Sequence, residues 1–310
     1  MKISFIMSVY NEERIIKNAL DNFKKINSFK RDIEFIIGLD GCTDKTLDII
    51  KEYKFVRYTN FKNRNGKHFI IKELIKKAKG DIIIIQDADW TFNVNTKHDI
   101  DTILLWFKDQ NLGGIAESYP VEYDLKRLNN IKSLGFLGSA WANYFWMDFQ
   151  RKRFTVKKKN KLYVNPKIRN FPFLVNIFRK NLYIKNITLG DDFERSLDIL
   201  NKGYSIIVLE DPNMPRMIAS YDTIRIKDLF RQKLRTSIAR DQIFKKYNIK
   251  VTLLNFYIPL FFYTLINCYK IKRIRSIFAL FIWLFIMLIT IIFKSKEKST
   301  KDGWLMRAKH

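Results

Sequence analysis

The sequence predicts an α/β fold, with a sheet flanked by helices and two apolar helices near the C-terminus. Over about the first hundred residues, short apolar runs with a β-branched bias alternate with segments of helical spacing. The apolar runs lack a polar face, which is typical of parallel strands buried on both sides. In such a sheet, ligands bind outside the carboxyl ends of the strands. The turns that follow the strands are therefore the expected positions of functional residues.

The elements of the sheet follow in chain order. Apolar runs predict strands, at Ile3–Val9, Ile33–Leu39, Phe55–Tyr58 and Ile82–Ile85. Helical spacing predicts helices, at Glu12–Lys25, Thr43–Tyr53 and His68–Lys79. A helix from about Leu189 to Lys202 and a strand at Tyr204–Leu209 are predicted further along. The N-terminus lacks the long apolar core of a signal peptide and is interpreted as the first strand.

The middle of the chain, from about Gly113 to Lys185, is aromatic, basic and less regular. One interpretation is a helix with a core face and a solvated basic tail, which includes Arg151–Arg153. The other is an amphipathic helix at a membrane interface, with its aromatic rings at the depth of the lipid headgroups. Both interpretations are compatible with the pattern.

Two apolar runs near the C-terminus, Val251–Cys268 and Ser276–Phe293, predict one or two membrane helices. As helices they would be roughly 27 Å long, just adequate for a bilayer core. The first run contains polar residues and Pro259, so a helix lying in the interface is the alternative. Basic residues around both runs favour anchoring near anionic lipid. A two-span hairpin would place the basic loop between the runs outside, against the positive-inside tendency.

The composition narrows the class of protein. The 310 residues carry a net charge of +26, which predicts an anionic partner: nucleic acid, an acidic membrane surface or a phosphorylated substrate. Hydrophobic residues make up 47% of the chain, which excludes a disordered protein. The two cysteines and three histidines lack a metal-binding spacing, so neither a zinc site nor a disulfide framework is expected. This cysteine usage suits a reducing cytosolic catalytic domain.

The strongest local signal is a pair of carboxylates, Asp87 and Asp89, directly after the all-isoleucine strand Ile82–Ile85. Two carboxylates at positions i and i+2, on the turn that follows a buried strand, can coordinate one divalent cation together. Their hard oxygen ligands suit Mg²⁺ or Mn²⁺. Such an ion would bridge the two phosphates of a nucleotide-sugar and stabilise the leaving diphosphate. A chance pattern on an exposed turn is the competing interpretation.

The turns after the first two strands carry further candidates. Ser8–Glu13 follows the first strand, and its Asn11 is expected to cap the next helix. Asp40 follows the second strand, where its carboxylate could accept from an N–H group of a nucleotide base. In the same turn, Thr43 or Asp44 is expected to cap a helix. In this turn, contact with the ligand and capping of the helix are expected to coexist.

Two later segments combine charge with a helix. Gly190–Glu194 opens a helix with acids that complement the helix dipole, and it could also supply a general base. Arg231–Arg235 is either a lipid-facing basic flank or a group that binds phosphate through the guanidinium fork.

Taken together and in this order, these segments resemble family 2 glycosyltransferases of the GT-A fold over about residues 3–240. The resemblance lies in six short motifs: Tyr10-Asn11-Glu12-Glu13, Leu39-Asp40-Gly41-Cys42-Thr43-Asp44-Lys45-Thr46, Asn63-Arg64-Asn65-Gly66-Lys67, Asp87-Ala88-Asp89, Gly190-Asp191-Asp192 and Gln232-Lys233-Leu234-Arg235-Thr236. The last of them is similar to the Gln-x-x-Arg-Trp motif of membrane-bound members. Six motifs in the right order are hard to obtain by chance.

The resemblance implies a GT-A-type mixed sheet flanked by helices, and it assigns roles to the motif residues. The nucleotide-sugar would bind at a group of seven residues: Tyr10, Glu12, Asp40, Lys67, Asp87, Gln232 and Arg235. Asp87 and Asp89 would hold Mg²⁺ or Mn²⁺. Asp192 would be the catalytic base that takes the proton of an acceptor hydroxyl, and the transfer would invert the anomeric configuration.

Three positions depart from the family pattern. Leu39 stands where the family has the first acid of an Asp-Asp pair, which removes one nucleoside contact. Asp191 replaces Glu, a mild change. Thr236 replaces the Trp, which removes an aromatic platform on the acceptor side and favours single additions over synthesis of a long polymer.

The expected organisation is a catalytic domain at 1–230, a basic interface segment at 231–250, one or two membrane helices at 251–293 and a basic tail at 294–310. Within the catalytic domain, the nucleotide-binding half would be 1–112 and the acceptor half 113–230. The expected function is transfer from a nucleotide-diphosphate-sugar to a lipid-linked or polysaccharide acceptor at the cell membrane, on its cytoplasmic side. A catalytically silent scaffold and a nucleic-acid-binding protein are the alternatives, although no nucleic-acid motif is present. A sugar nucleotidyltransferase would need a glycine-rich loop, and Ser8–Glu13 contains no glycine.

Overall fold

The computed structural model describes residues 1–116, 125–165, 167, 173–210, 215–249 and 257–292. The strands are β1 Ile3–Val9, β2 Ile33–Asp40, β3 Val56–Phe61, β4 Ile82–Ile85, β5 Trp90–Asn93, β6 Leu112–Ala116, β7 Thr155–Lys158, β8 Lys161–Val164, β9 Val175–Arg179, β10 Ser205–Val208 and β11 Arg216–Ala219. The helices are α1 Ile16–Asn27, α2 Thr46–Lys51, α3 Lys67–Lys77, α4 Lys97–Trp106, α5 Leu125–Leu128, α6 Leu134–Phe154, α7 Asp191–Asn201, α8 Ile226–Tyr247, α9 Ile258–Asn267 and α10 Ile274–Ile292.

Nine of the described strands form one mixed sheet in the order β3-β2-β1-β4-β9-β6-β10-β8-β7. In its first part, β3, β2, β1 and β4 all run parallel. β9 runs antiparallel between β4 and β6, and β10 pairs parallel with β6. The alternation of strands and helices correctly predicts the parallel part. It does not predict the antiparallel β9, because this strand comes from the irregular middle of the chain.

Helices cover the parallel part of the sheet on both faces. On one face α1 packs against β1 and β2, where the rings of Phe5, Phe23 and Phe35 contact one another with centroids 4.7 to 5.5 Å apart. On the other face α3 lies so close to β2 that a Cβ at Gly38 would overlap the side chain of Ile70. Burial on both faces explains why these strands are apolar throughout.

The middle of the chain contains a core helix, α6. Apolar residues all around α6 are buried, and α10 packs on α6 so closely that a Cβ at Gly138 would overlap the backbone of Ala279. At its basic end, Arg151 and Lys152 both pair with the carboxylate of Asp148. The interpretation of this segment as a helix with a core face is therefore confirmed, with the difference that part of its basic tail is ion-paired.

The C-terminal helices differ from the predicted membrane spans. In the part of the chain that is described, no helix is both long and apolar enough to cross a membrane. α9 is ten residues long and has Pro259 in its first turn, and α10 buries one face against α6 and α8. The prediction of membrane helices at 251–293 is therefore not supported. Residues 251–256 and the predicted basic tail at 294–310 lie outside the described residues.

The boundary predicted at residue 230 also falls differently. α8 runs without interruption from Ile226 to Tyr247, across the end of the expected catalytic domain and through the expected basic interface segment. Its side chains Leu229, Ile238 and Ile243 are buried against the rest of the fold. The structure thus joins this segment to the unit that contains the sheet.

Candidate functional site

A cleft of about 460 Å³ opens where β1, β2 and β4 end. Because these strands are parallel and in register, with Val9 beside Leu39 and Ile6 beside Ile85, their carboxyl ends meet at one edge of the sheet. All the residues assigned from the sequence line this cleft: Tyr10, Glu12, Asp40, Lys67, Asp87, Asp89, Asp192, Gln232 and Arg235. Residues far apart in the chain thus line one cleft.

The turn after β1 is fixed by Asn11. Its backbone φ is 53°, and its side-chain oxygen accepts from the backbone N–H of Thr43 at 2.8 Å. The prediction that Asn11 caps the next helix is wrong, since α1 begins only at Ile16. Instead Asn11 ties the turn after β1 to the turn after β2. In that second turn, Asp44 accepts from the backbone N–H of Thr46 at 3.1 Å, although the N-cap residue of α2 is Lys45 rather than Thr43 or Asp44.

One wall of the cleft is formed by Tyr10 and Arg64. The guanidinium carbon of Arg64 lies 3.9 Å from the centre of the Tyr10 ring, a cation–π contact. Arg64 belongs to the segment Asn63–Lys67 but was not assigned a role from the sequence. A stacked ring and guanidinium offer a flat surface and a positive charge, which suit a nucleotide base and its phosphates.

Asp40 holds the turn that leads into α3. Its two carboxylate oxygens accept from the backbone N–H groups of Asn65 at 2.6 Å and Gly66 at 2.9 Å. Gly66 has a φ of 91°, a conformation that residues with a Cβ rarely adopt. Asp40 is 4% exposed, and both of these hydrogen bonds are made with the backbone of the chain. The result is that Lys67, which follows Gly66, projects into the cleft.

Lys67 links two carboxylates from distant parts of the chain. Its Nζ lies 3.0 Å from Oδ1 of Asp87 and 3.5 Å from Oδ1 of Asp191. Burial lowers the pKa of Lys67, but the negative charges of Asp191 and Asp87 outweigh it and raise the pKa above its usual value. Lys67 therefore stays charged and joins the turn after β4 to the start of α7.

Asp191 and Asp192 are adjacent but lie in different electrostatic environments. Burial would raise the pKa of Asp191, but Lys67 and the buried Arg195, whose Nη2 is 2.9 Å from Oδ2 of Asp191, hold it well below its usual value. For Asp192, burial and the charge of Asp191 raise the pKa to about 6. Opposite shifts in a pair of acids separate a permanently charged group from one that can take a proton near neutrality.

The wall opposite the sheet comes from α8. Gln232, Arg235 and Thr236 all face the cleft. The interpretation of the segment Arg231–Arg235 as a lipid-facing flank is therefore wrong for Gln232 and Arg235. The side-chain oxygen of Gln232 is buried and has no hydrogen-bond partner among the described residues, so it can accept from a ligand.

Asp87 and Asp89, on the turn after β4, are among the carboxylates that line the cleft. Within the described ranges, no group of three or more His, Cys, Asp or Glu side chains is placed to hold a metal by itself. Mg²⁺ in nucleotide sites usually takes one or two carboxylates and completes its shell with substrate phosphates and water. Two carboxylates in the same cleft as the cations Lys67 and Arg235 fit that pattern.

Several cleft residues were not predicted from the sequence. They are Arg64, His68, Gln86, Trp146, Phe193 and Lys233. Two of them could have been predicted from their neighbours in the sequence, since Gln86 precedes Asp87 and Phe193 follows Asp192. The pattern around Trp146 indicated a helix but not which of its faces borders the cleft.

The start of α7 is anchored by Glu194, which is fully buried. Glu194 accepts from the backbone N–H groups of Ile187 and Thr188 and pairs with Lys246 of α8 at 2.5 Å. These contacts fix the turn before Asp191 and Asp192. A buried carboxylate needs such partners because burying an uncompensated charge is costly.

Replacing Lys246 by Met is expected to lower the free energy of unfolding by about 1–3 kcal/mol, since Glu194 loses its cation but keeps its backbone donors. Urea unfolding monitored by fluorescence measures the change. Lys245→Met is the matched control, because Lys245 is exposed on the same turn and the change should stay within about 0.5 kcal/mol. Equal effects of the two substitutions would contradict the anchoring role of Glu194.

Comparison with known proteins gives one family and several relatives. A family model described as Glycosyl transferase family 2 matches residues 4–178, more than half of the chain. A poly(ribitol-phosphate) β-glucosyltransferase of Bacillus spizizenii is 32% identical over 134 residues, which are 38% of this chain and 21% of that protein. The chain thus spans about a fifth of the length of this relative.

A second relative is matched over a longer range. A dolichyl N-acetyl-α-D-glucosaminyl phosphate 3-β-D-2,3-diacetamido-2,3-dideoxy-β-D-glucuronosyltransferase of Methanococcus voltae is 25% identical over 257 residues, 79% of this chain and 74% of that protein. Among solved structures, the mannosyltransferase PcManGT of Pyrobaculum calidifontis, in complex with GDP-Man and Mn²⁺, aligns with a TM-score of 0.56 at 15% identity. That alignment covers 95% of this chain and 76% of the mannosyltransferase, and it shows a shared fold.

Proposed function

The chain belongs to glycosyl transferase family 2, and from this membership we propose that it moves a sugar from a nucleotide-diphosphate-sugar to an acceptor hydroxyl, with inversion at the anomeric carbon. The observation that carries the proposal is the meeting of Asp87, Asp89 and Asp192 in one cleft at the ends of parallel strands. A catalytically silent scaffold would not be expected to keep these three acids in one cleft.

The donor would lie along the sheet edge. Its base and ribose would contact Tyr10, Glu12 and Asp40, with Arg64 beside Tyr10. Its diphosphate would meet the cations Lys67 and Arg235, whose charges favour a dianionic group. Because Asp40 already accepts two backbone N–H groups, its part in donor binding is chiefly to hold the turn that carries Lys67.

Asp87 and Asp89 would hold Mg²⁺ or Mn²⁺ together with the donor's phosphates. Mn²⁺ accompanies GDP-Man in the mannosyltransferase that shares this fold, which supports the assignment. When bound, the ion would neutralise charge on the leaving diphosphate. Lys67, whose Nζ lies 3.0 Å from Oδ1 of Asp87, would stand close to the same diphosphate.

Asp192 would act as the general base. It borders the cleft, and its raised pKa makes it a better proton acceptor than an ordinary exposed Asp. Asp191 is unsuited to the role, because Lys67 and Arg195 bind both of its oxygens and keep it charged. Attack by the acceptor from the face opposite the leaving diphosphate would give the inverted product.

The acceptor would be lipid-linked or a polysaccharide, and the enzyme would work at the cytoplasmic side of the cell membrane. The relative from Methanococcus voltae is named for a dolichyl-linked acceptor, and that from Bacillus spizizenii for a ribitol-phosphate polymer. Exposed apolar side chains on α9 and α10, with a basic connection between them, support association with a membrane surface.

A screen of nucleotide-sugars by thermal unfolding tests the proposal. A ligand that binds only the native state raises the unfolding temperature, by an amount that grows with ligand concentration. We expect one or a few nucleotide-sugars to stabilise the protein in Mg²⁺ or Mn²⁺, and less so in excess chelator. Stabilisation by none of them, with or without metal, would refute the proposed donor class.

A further inference from the structure

The cleft continues past the carboxylates into an apolar end between α6, α8, α9 and α10. Its lining is apolar and aromatic: Trp146, Ile243, Leu260, Phe261, Leu284 and Met287. This end begins directly beside the candidate base. A Cβ at Gly190 would lie 2.9 Å from Ile243, and the ring of Phe193, next to Asp192, lies 5.8 Å from the ring of Trp146. The apolar end and Asp192 thus border the same cleft.

Two cations stand in the wall of this apolar end. Lys233 is 9% exposed, and its Nζ lies 4.5 Å from the ring centre of Trp283. About two turns further along α8, the guanidinium of Arg240 lies 5.1 Å from the ring of Tyr257. Positive charge held at an apolar surface favours an anionic group on the ligand, which both Lys and Arg bind well when it is a phosphate.

The apolar end reaches the outer surface of α9. Phe261 lines the cleft and is also 42% exposed. Both α9 and α10 carry further exposed apolar side chains: Phe262, Ile266, Phe278, Phe281, Phe285 and Leu288. Large exposed apolar patches mark sites of interaction with membranes or other apolar partners. A molecule with a hydrocarbon chain could therefore pass from such a surface into the cleft.

Resting on the proposed function, we propose that the acceptor is an amphiphile whose hydrocarbon chain lies in this apolar end and whose phosphate lies at Lys233 and Arg240. A hydroxyl group beyond the phosphate then reaches Asp192. The hydroxyl oxygen forms a bond to the anomeric carbon of the donor, while the bond from that carbon to the diphosphate oxygen breaks. The proton goes to Asp192, and the electron pair leaves with the nucleoside diphosphate.

A polysaccharide acceptor would not use these features. Its chain is polar along its whole length, so burying it against Leu260, Leu284 and Met287 would leave hydroxyl groups without partners. An alkyl or isoprenoid chain loses nothing by the same burial and gains from each methylene removed from water. The apolar lining therefore selects a lipid-linked acceptor over a polymer.

Calorimetric titration of the full chain with farnesyl phosphate, dodecyl phosphate, farnesol and inorganic phosphate tests the inference. We expect both lipid phosphates to bind in a saturable manner and more tightly than farnesol or inorganic phosphate. Tight binding of inorganic phosphate alone would mean an anion site without a chain site. Binding of farnesol as tight as that of farnesyl phosphate would mean that the cations play no part. Either outcome would overturn the proposal.

Substitutions on α10 separate the apolar end of the cleft from the outer apolar face. Met287→Trp fills the cleft and is expected to weaken binding of farnesyl phosphate by about tenfold, the effect of excluding roughly two methylene groups. Leu288→Trp is the matched control, since Leu288 is 53% exposed on the outer face and should not weaken binding. Equal loss in both variants, or no loss in Met287→Trp, would refute the chain site.

The charged part of the site has its own pair of variants on α8. Lys233→Met should weaken binding of farnesyl phosphate but not of farnesol, whereas Lys227→Met, at an exposed position, should change neither. Stabilisation of each variant by the donor reports whether the variant has folded. If Met287→Trp does not fold, Leu284→Phe is a milder substitution in the same apolar end. Donor binding without lipid phosphate binding in the wild type would overturn this inference alone. Absence of donor binding would count against the proposed function instead.

Discussion

Replacing Asp192 by Asn is expected to lower the turnover of sugar transfer by roughly 10²–10⁴-fold. The amide keeps the size of the carboxylate and can still accept from the backbone N–H of Phe193, but it cannot take up the acceptor's proton. Donor binding should persist, because no contact with the donor is assigned to Asp192. Initial rates at saturating donor, together with donor-induced thermal stabilisation, measure the two effects separately.

The pH profile gives an independent signature of the same residue. Since Asp192 must be deprotonated to act, turnover should fall as the pH drops below about 6, by roughly tenfold per pH unit. The residual activity of Asp192→Asn should lack this acidic limb. Asp48→Asn, an exposed acid on α2, is the control for the substitution itself and should keep both rate and profile. Wild-type turnover in Asp192→Asn would show that the acceptor needs no base.

Replacing Asp89 by Asn is expected to abolish metal-dependent transfer while leaving the fold intact. Charge stabilisation by a bound divalent ion is worth several kcal/mol, which corresponds to a rate loss of more than about a hundredfold. Excess chelator should reduce the wild-type enzyme to the same level. Rates measured across a Mn²⁺ or Mg²⁺ titration show whether the variant has lost its metal response.

Asp81 provides the matched control for Asp89. It precedes β4, whereas Asp89 follows it, so the two acids lie beyond opposite ends of one strand, and Asp81 is exposed. Asp81→Asn should therefore retain its metal dependence and its rate. Full activity of Asp89→Asn, or of the wild type in excess chelator, would refute the role of a metal.

The parallel part of the fold could be predicted because its information is local. Ile3–Val9 and Ile82–Ile85 have the same bounds in the sequence prediction and in the structure. Each is a short, mainly apolar run between polar turns, which is typical of a strand buried on both faces. β9, at Val175–Arg179, could not be predicted, because its partners β4 and β6 are remote in sequence and its own five residues carry no distinctive pattern.

For the C-terminal helices, the sequence predicted the helical segment but not its surroundings. Ser276–Phe293 is apolar enough to predict a membrane helix, but hydropathy cannot distinguish a face turned to lipid from a face packed on protein. In the structure, Ala279, Leu280 and Trp283 are buried, and Gly138 of α6 permits the close contact with α10. The same apolar composition therefore builds one wall of the cleft.

By itself, the sequence determined which turns end at the carboxyl edge of the sheet and which acids and cations stand on them. Those features depend on short runs of residues and on the direction of parallel strands. Only the tertiary structure decided how two adjacent, identical acids differ. Asp191 meets Lys67, which is 124 residues away, and Arg195, whereas Asp192 faces the cleft beside a charged neighbour. The pKa of each acid depends on its burial and on the charges around it, and neither can be inferred from the residues next to it in the sequence.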